Sequence, residues 1–238
     1  MFDAAAVSDP VLVERAAQLD ARFAKARPHD VIEALIEQKL PGGIAAVSSF
    51  GTESAVLLHI VSEVDPSTPI LFLDTGMLFE ETLTYRDQLM ERLGLTDLRI
   101  FTPNEEELAK IDPDRMLWAS DTDACCGVRK VEPLDRALQG FGGWLNGRKR
   151  YHGESRSSIP VVEADGPRIK ANPLALMGAQ EIQGYFVKHH LPLHPLQVHG
   201  FASIGCMPCT SRTAPGEGVR AGRWRGSNKT ECGIHIKH

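Results

Sequence analysis

The sequence predicts an α/β protein built on an open, mostly parallel sheet flanked by helices, with a loop-rich C-terminal segment. Two observations carry this. Short apolar runs alternate with amphipathic helical stretches from residue 44 to about residue 111. Past residue 190 periodicity gives way to Gly, Pro, Arg, His and Cys. Residues 10 to 38 read as helical, with apolar positions at helical spacing through "VLVERAAQL" and "DVIEALIEQ", and "PGG" at 41 to 43 ends that pattern. "IAAVSSF" is then a first strand and "TESAVLLHIVSEV" an amphipathic helix. "PILFLDTG" is a second buried strand, followed by the helical "LFEETLTYRDQLMERLG". "LRIFTP" is a third strand and "NEEELAKI" opens another helix. "GGWLNGR" and "RIKANPL" are the fourth and fifth strand candidates. The expected organisation is one domain over 1–238, with N-terminal helices in 1–40, an α/β core in 41–190 and a loop-rich tail in 191–238.

Composition narrows the function classes. The 238 residues are 42% hydrophobic and 24% charged, ordinary for a globular protein. A net charge of −5 argues against nucleic-acid binding by neutralisation of many phosphates. No apolar run reaches the roughly 20 residues of a membrane span, and the first residues lack a basic region followed by an apolar core. A cytoplasmic protein without membrane or nucleic-acid partners is expected, whose five cysteines are metal ligands or reactive groups rather than a disulfide frame.

Two strand exits have the character of a ligand site. "SSFGTES" supplies Ser48, Ser49, Thr52 and Ser54 hydroxyls around Gly51, directly before a helix, where backbone N–H groups can hold an anion. A capped helix start explains the same residues. No Gly-Lys-Ser/Thr follows, so this is not a Walker A loop. It resembles the pyrophosphate loop S-G-G-x-D-S of the adenine-nucleotide α-hydrolase group, with Phe50 in place of Gly and Glu53 in place of Asp. That resemblance implies an adenosine site at the next exit, "LDTG", which contains Leu73, Asp74, Thr75 and Gly76.

The cysteines are more specific. Cys125 and Cys126 abut, and Cys206 and Cys209 form "CMPC" about 80 residues later. Together they give the four thiolates that structural zinc or a [4Fe–4S] cluster requires, although abutting ligands strain a zinc tetrahedron. Cys232 in "KTECGIH" is left over. A neighbouring cation would enrich its thiolate, the nucleophilic form, and His235 is one candidate.

The motifs "SSFGTES", "LDTG", "CCGVRKVEPL", "HPLQVHGFASIGCMPCTSR", "GVRAGRW" and "ECGIH" resemble those of the assimilatory adenylylsulfate (APS) reductases within the sulfonucleotide reductase family. Members lacking the four cysteines use the 3′-phosphorylated nucleotide PAPS, so the resemblance implies APS as substrate. It also implies a [4Fe–4S] cluster on Cys125, Cys126, Cys206 and Cys209, with thioredoxin as reductant. Cys232 is implied to attack the sulfate sulfur and to carry an S-sulfonate, in sulfate assimilation. Lys130, Arg220 and Arg223 lie in the shared motifs and are implied to bind the polyanion. The family pattern G-x-R-R-D-Q-S departs here to "GRKRYHGESR", which leaves Lys149, Arg150 and Arg156 as alternatives for a further basic contact. The four histidines of "KHHLPLHPLQVHG" read as a Pro-rich connector rather than a metal site. The resemblance leaves room for a homo-oligomer. Competing readings are a PAPS reductase, a pyrophosphate-loop ATP-dependent synthetase and a zinc-stabilised nucleotide-binding module.

Overall fold

A computed structural model describes residues 9–235. In chain order the elements are α1 (Pro10–Phe23), α2 (Pro28–Glu37), β1 (Ile44–Val47), α3 (Ser54–Val64), β2 (Ile70–Leu73), α4 (Glu80–Leu93), β3 (Leu98–Phe101) and α5 (Glu105–Ile111). They continue with α6 (Leu117–Ser120), α7 (Thr122–Cys126), α8 (Glu132–Ala137), β4 (Gly143–Leu145), β5 (Val162–Asp165), β6 (Arg168–Ala171) and α9 (Ala179–Lys188). Beyond α9 the described residues form short 3-10 turns and one isolated antiparallel bridge between Thr210 and Arg223. The helical stretch at 10 to 38 resolves into two helices. Asp9 caps α1 by accepting the Val11 N–H at 2.9 Å, and Pro28 opens α2 at a position where no N–H is needed.

All six strands share one sheet in the order β3-β2-β1-β4-β6-β5, parallel except for the antiparallel β5–β6 pair. The sequence reading missed β5. Asp165-Gly166 in "VVEADGPRIKA", between two alternating runs, was the available hairpin signal. β1 faces both layers, as its period of two requires. Ile44 and Ala46 join a core with α1, α2, α3 and α9, while Ala45 and Val47 join Leu134, Ala137 and Leu138 around α8 on the other side. The chain runs outward from β1 to β2 and β3, then returns to β4 on the opposite side of β1. At that switch point the exit loops diverge and open a crevice beyond the carboxyl ends of β1 and β4. Among the described residues, no helix is long and apolar enough to cross a membrane.

Candidate active site

A cavity occupies this switch-point crevice. One wall is the exit of β1, with Ser48, Ser49, Gly51, Thr52, Glu53 and Ser54, and the opposite wall is the exit of β4, from Asn146 to Lys149. The C-terminal tail closes the top with Glu231, Cys232, Ile234 and His235. Six cations (Lys130, Arg148, Lys149, Arg156, Arg220, Arg223) line it against two carboxylates, Glu53 and Glu231. A chain of net charge −5 thus concentrates positive charge at one place.

The β1 exit owes its shape to Phe50. Its ring is fully buried, edge-on to Phe72 at 5.4 Å, and its backbone takes φ 47°. The resembling loop has Gly in this position. Phe50 adopts the left-handed conformation at a cost of about 1 kcal/mol, offset by ring burial. Its side chain therefore belongs to the core and not to the cavity. Glu53 reaches the cavity but is already engaged. Lys149 Nζ lies 2.8 Å and His152 Nε2 3.0 Å from its carboxylate, and Tyr151 donates to it as well. Burial opposes its ionisation, yet His152 and Lys149 outweigh that and hold the carboxyl well below the usual range.

"LDTG" divides between two sites. Leu73 lines the cavity. Asp74 and Gly76 fold into a turn through a 3.0 Å bond, and Thr75 turns toward the cysteines, its Oγ1 3.3 Å from Cys206 Sγ. Of the three basic alternatives, Lys149 and Arg156 line the cavity. Arg150 does not: it opens a short 3-10 turn and spends its Nε–H on the Ile159 carbonyl at 2.8 Å.

The paired cysteines end α7, and the chain continues through a π-helical turn, Gly127–Val131, into α8. Such widened turns recur at functional sites. Arg129 anchors this one, donating to the Thr75 carbonyl at 2.8 Å and to Asp112 at 2.6 Å, and Lys130 projects into the cavity. The "CMPC" loop is held against the β2 exit by the Met207 N–H to the Met77 carbonyl at 2.8 Å. Burial comes first in raising the Cys125 thiol to about 11, with repulsion from Cys206 and Cys209 adding to it. The two cysteine pairs, far apart in sequence, are thus near enough to interact electrostatically. Among the described residues, only His59/Glu63/His189 and His29/Asp30/Glu33 bring three metal-ligating atoms within 4.8 Å of one another. All four thiols are free, three buried and Cys209 half-buried, the donor set that either a zinc ion or a [4Fe–4S] cluster takes.

Cys232 lies between these features, half-buried in the crevice. The neighbouring Cys126 thiol is the largest cause holding the Cys232 thiol well below its ordinary pKa. Lys130 and Arg223 act in the same direction against burial. Burial opposes the charge of Lys130, but Cys206, Cys232 and Cys126 outweigh it and raise its pKa. Among the described residues no carboxylate pairs with Lys130. Arg223 donates to the Ile204 carbonyl at 3.2 Å, and its buried Nε lacks a partner. It lies against the "CMPC" loop because residue 205 is Gly, where a Cβ would stand 2.3 Å from its guanidinium.

The tail is fastened by Glu231. Arg156 donates to it twice, at 2.5 and 2.8 Å, Arg220 at 3.4 Å, and the Cys232 N–H at 2.9 Å. Burial opposes its ionisation, but Arg156 dominates and brings the carboxyl down to about 2. Gly233 lets the tail pass close, since a Cβ there would stand 3.1 Å from Val131 and 3.7 Å from the Cys126 Cβ. The expectation that His235 supplies a cation is corrected. Its ring stacks on Trp144 at 6.1 Å and 7°, and burial, then Arg148 and Lys170, keep it neutral.

Sequence reasoning missed Arg148 and the Arg156–Glu231 clasp. Arg148 lies three residues past the end of β4, so the switch-point rule could have found it once β4 was set beside β1. The clasp spans 75 residues and has no local signal.

Relatives and folds agree with this geometry. A family model described as the phosphoadenosine phosphosulfate reductase domain matches residues 43–212. An adenosine 5′-phosphosulfate reductase of Mesorhizobium japonicum is 48% identical over 229 residues, covering 96% of this chain and 90% of its own. One from a Chelativorans strain is 49% identical over 222 residues, covering 93% and 91%. The crystal structure of a phosphoadenylyl-sulfate reductase from Candida auris superposes with TM-score 0.70 at 26% identity, over 88% of this chain and 100% of that one. The match over most of the chain, together with these relatives, shows that the chain belongs to the phosphoadenosine phosphosulfate (sulfonucleotide) reductase family.

Proposed function

We propose that the chain reduces adenosine 5′-phosphosulfate to sulfite and AMP, with Cys232 as nucleophile and thioredoxin as reductant. The observation that carries this is the placement of a half-buried cysteine, its thiol pKa lowered, beside Lys130 and Arg223, two cations that among the described residues have no carboxylate partner, in the switch-point crevice. The curated relatives named for this activity support it. Leu73 and Leu78 offer an apolar surface suited to an adenine ring, and the Ser48–Ser54 loop suits the 5′-phosphate. Lys130, Arg220 and Arg223, with Lys149 or Arg156, surround the sulfate. The Cys232 thiolate attacks the sulfate sulfur, and the S–O bond to AMP breaks with its electron pair. An S-sulfonate remains on Cys232. A thioredoxin thiolate then attacks the Cys232 sulfur, forming a mixed disulfide and expelling sulfite, and its second thiol restores Cys232. Two electrons leave thioredoxin for each sulfite formed.

Cys125, Cys126, Cys206 and Cys209 are suited to hold a [4Fe–4S] cluster by their donor chemistry, four free thiols from two loops. When bound, the cluster supplies charge and polarisation at the edge of the crevice. Cys126 would then have no proton to donate, leaving Lys130 and Arg223 to hold the Cys232 thiolate. Incubation with APS and no thioredoxin should add one sulfonate to the peptide carrying Cys232, and reduced thioredoxin should release it as sulfite. Cys232→Ser should abolish both while retaining nucleotide binding. An adduct on another cysteine, or turnover by the Ser variant, would refute the assignment.

A further inference from the structure

Helix α3 opens at the crevice, but its C-terminal half carries a separate set of donor atoms. His59 and Glu63 stand one turn apart on α3, and His189 caps the end of α9. Their ligand atoms lie within 4.8 Å of one another. His59 Nδ1 is 3.3 Å from Glu63 Oε2, and the His59 and His189 rings are 4.6 Å apart between centroids. Tyr185, one turn before His189, completes the group. Its hydroxyl lies 2.9 Å from His59 Nδ1 and 3.4 Å from Glu63 Oε2, and its ring stacks on His189 at 4.1 Å. None of the four lines the crevice.

We propose that His59, Glu63 and His189 form a mononuclear site for a divalent first-row transition ion of the zinc–nickel class, which clamps α9 to α3. Two imidazoles and one carboxylate are the donors such borderline ions favour, and three protein ligands leave a position for water. Tetrahedral ligands at about 2.1 Å stand roughly 3.4 Å apart, so the observed separations close by small side-chain rotations. Burial biases His59 to its neutral form, which has a lone pair to offer. The Glu63 side chain is 45% exposed, so an ion can enter from solvent. Tyr185 is the metal-free partner of His59. On binding, its hydroxyl turns to Glu63, where it orients the carboxylate from outside the coordination shell. The trio on α2 is a weaker candidate. Its His29–Glu33 separation is 3.9 Å, and Asp30 is already held by Arg27 through bonds of 2.6 and 2.9 Å.

This inference is independent of the catalytic reading. The test is a calorimetric titration of untagged protein with Ni²⁺ at neutral pH, beside His59→Gln, His189→Gln and the control His29→Gln. Wild type and His29→Gln should share one ion-binding event that each of the other two variants weakens by about tenfold or more. Ni²⁺ should raise the melting temperature of wild type and leave that of His189→Gln unchanged. His189 is partly exposed at a helix end, so its variant tests the site even if His59→Gln folds poorly. Equal Ni²⁺ stoichiometry and affinity in wild type and His189→Gln, or no such event in wild type, would overturn the proposal.

Discussion

Replacing Glu231 by Gln removes the charge that fastens the tail carrying Cys232. The carboxyl is brought from 4.5 to about 2, mainly by Arg156 working against burial, a difference of about 3 kcal/mol at 1.36 kcal/mol per unit. Glu231 is 6% exposed, so solvent screening discounts this little. The loss falls on a local docking equilibrium rather than on the whole fold, because the sheet core lies elsewhere. About 3 kcal/mol changes the docked-to-open ratio on the order of 100-fold. Hydrogen exchange at the His235 amide, bonded to the Cys232 carbonyl at 2.9 Å, should accelerate by up to that factor. AMP binding should hold or tighten, since Arg156 and Arg220 lose a competing carboxylate inside the crevice. Formation of the Cys232 sulfonate should slow. The depressed pKa also fixes the pH dependence. Glu231 stabilises docking fully above about 4.5, and that contribution fades as pH falls toward about 2. Wild-type tail exchange should therefore quicken below pH 4.5 for a reason absent from Glu231→Gln. Unchanged tail exchange in the variant would refute this reasoning, as would a loss of AMP affinity in step with tail release.

The remaining predictions concern the cluster and the basic residues. Cys125→Ser or Cys206→Ser should lose bound iron, its thiolate-to-iron absorption and most activity together, and full iron content in the double variant would remove the assignment. Lys130→Met should slow sulfonate formation by about 10²–10³-fold, the scale for losing a charge contact in a dry site, with AMP affinity within about tenfold of wild type. Arg150→Ala, whose side chain faces Ile159 and not the crevice, should behave as wild type in both measurements.

Sequence alone determined the alternation of strands and helices, because β1, β2 and β3 are apolar runs and α3 and α4 are amphipathic, and both patterns are local. It also singled out the Cys125/Cys126 and Cys206/Cys209 pairs and Cys232, since an adjacent pair answered by a C-x-x-C is rare enough to stand out unaided. The tertiary structure alone decided which charges converge. Whether Lys149, Arg150 or Arg156 enters the crevice depends on the direction each side chain leaves a turn, which residue type does not encode. That Glu53 is held by Lys149 and His152, and Glu231 by Arg156, follows from pairing between segments 75 or more residues apart in sequence. The neutrality of His235 follows from its burial against Trp144. Local pattern reports on backbone and hydrophobic faces; charge pairing, burial and the pKa values they set are properties of the assembled crevice.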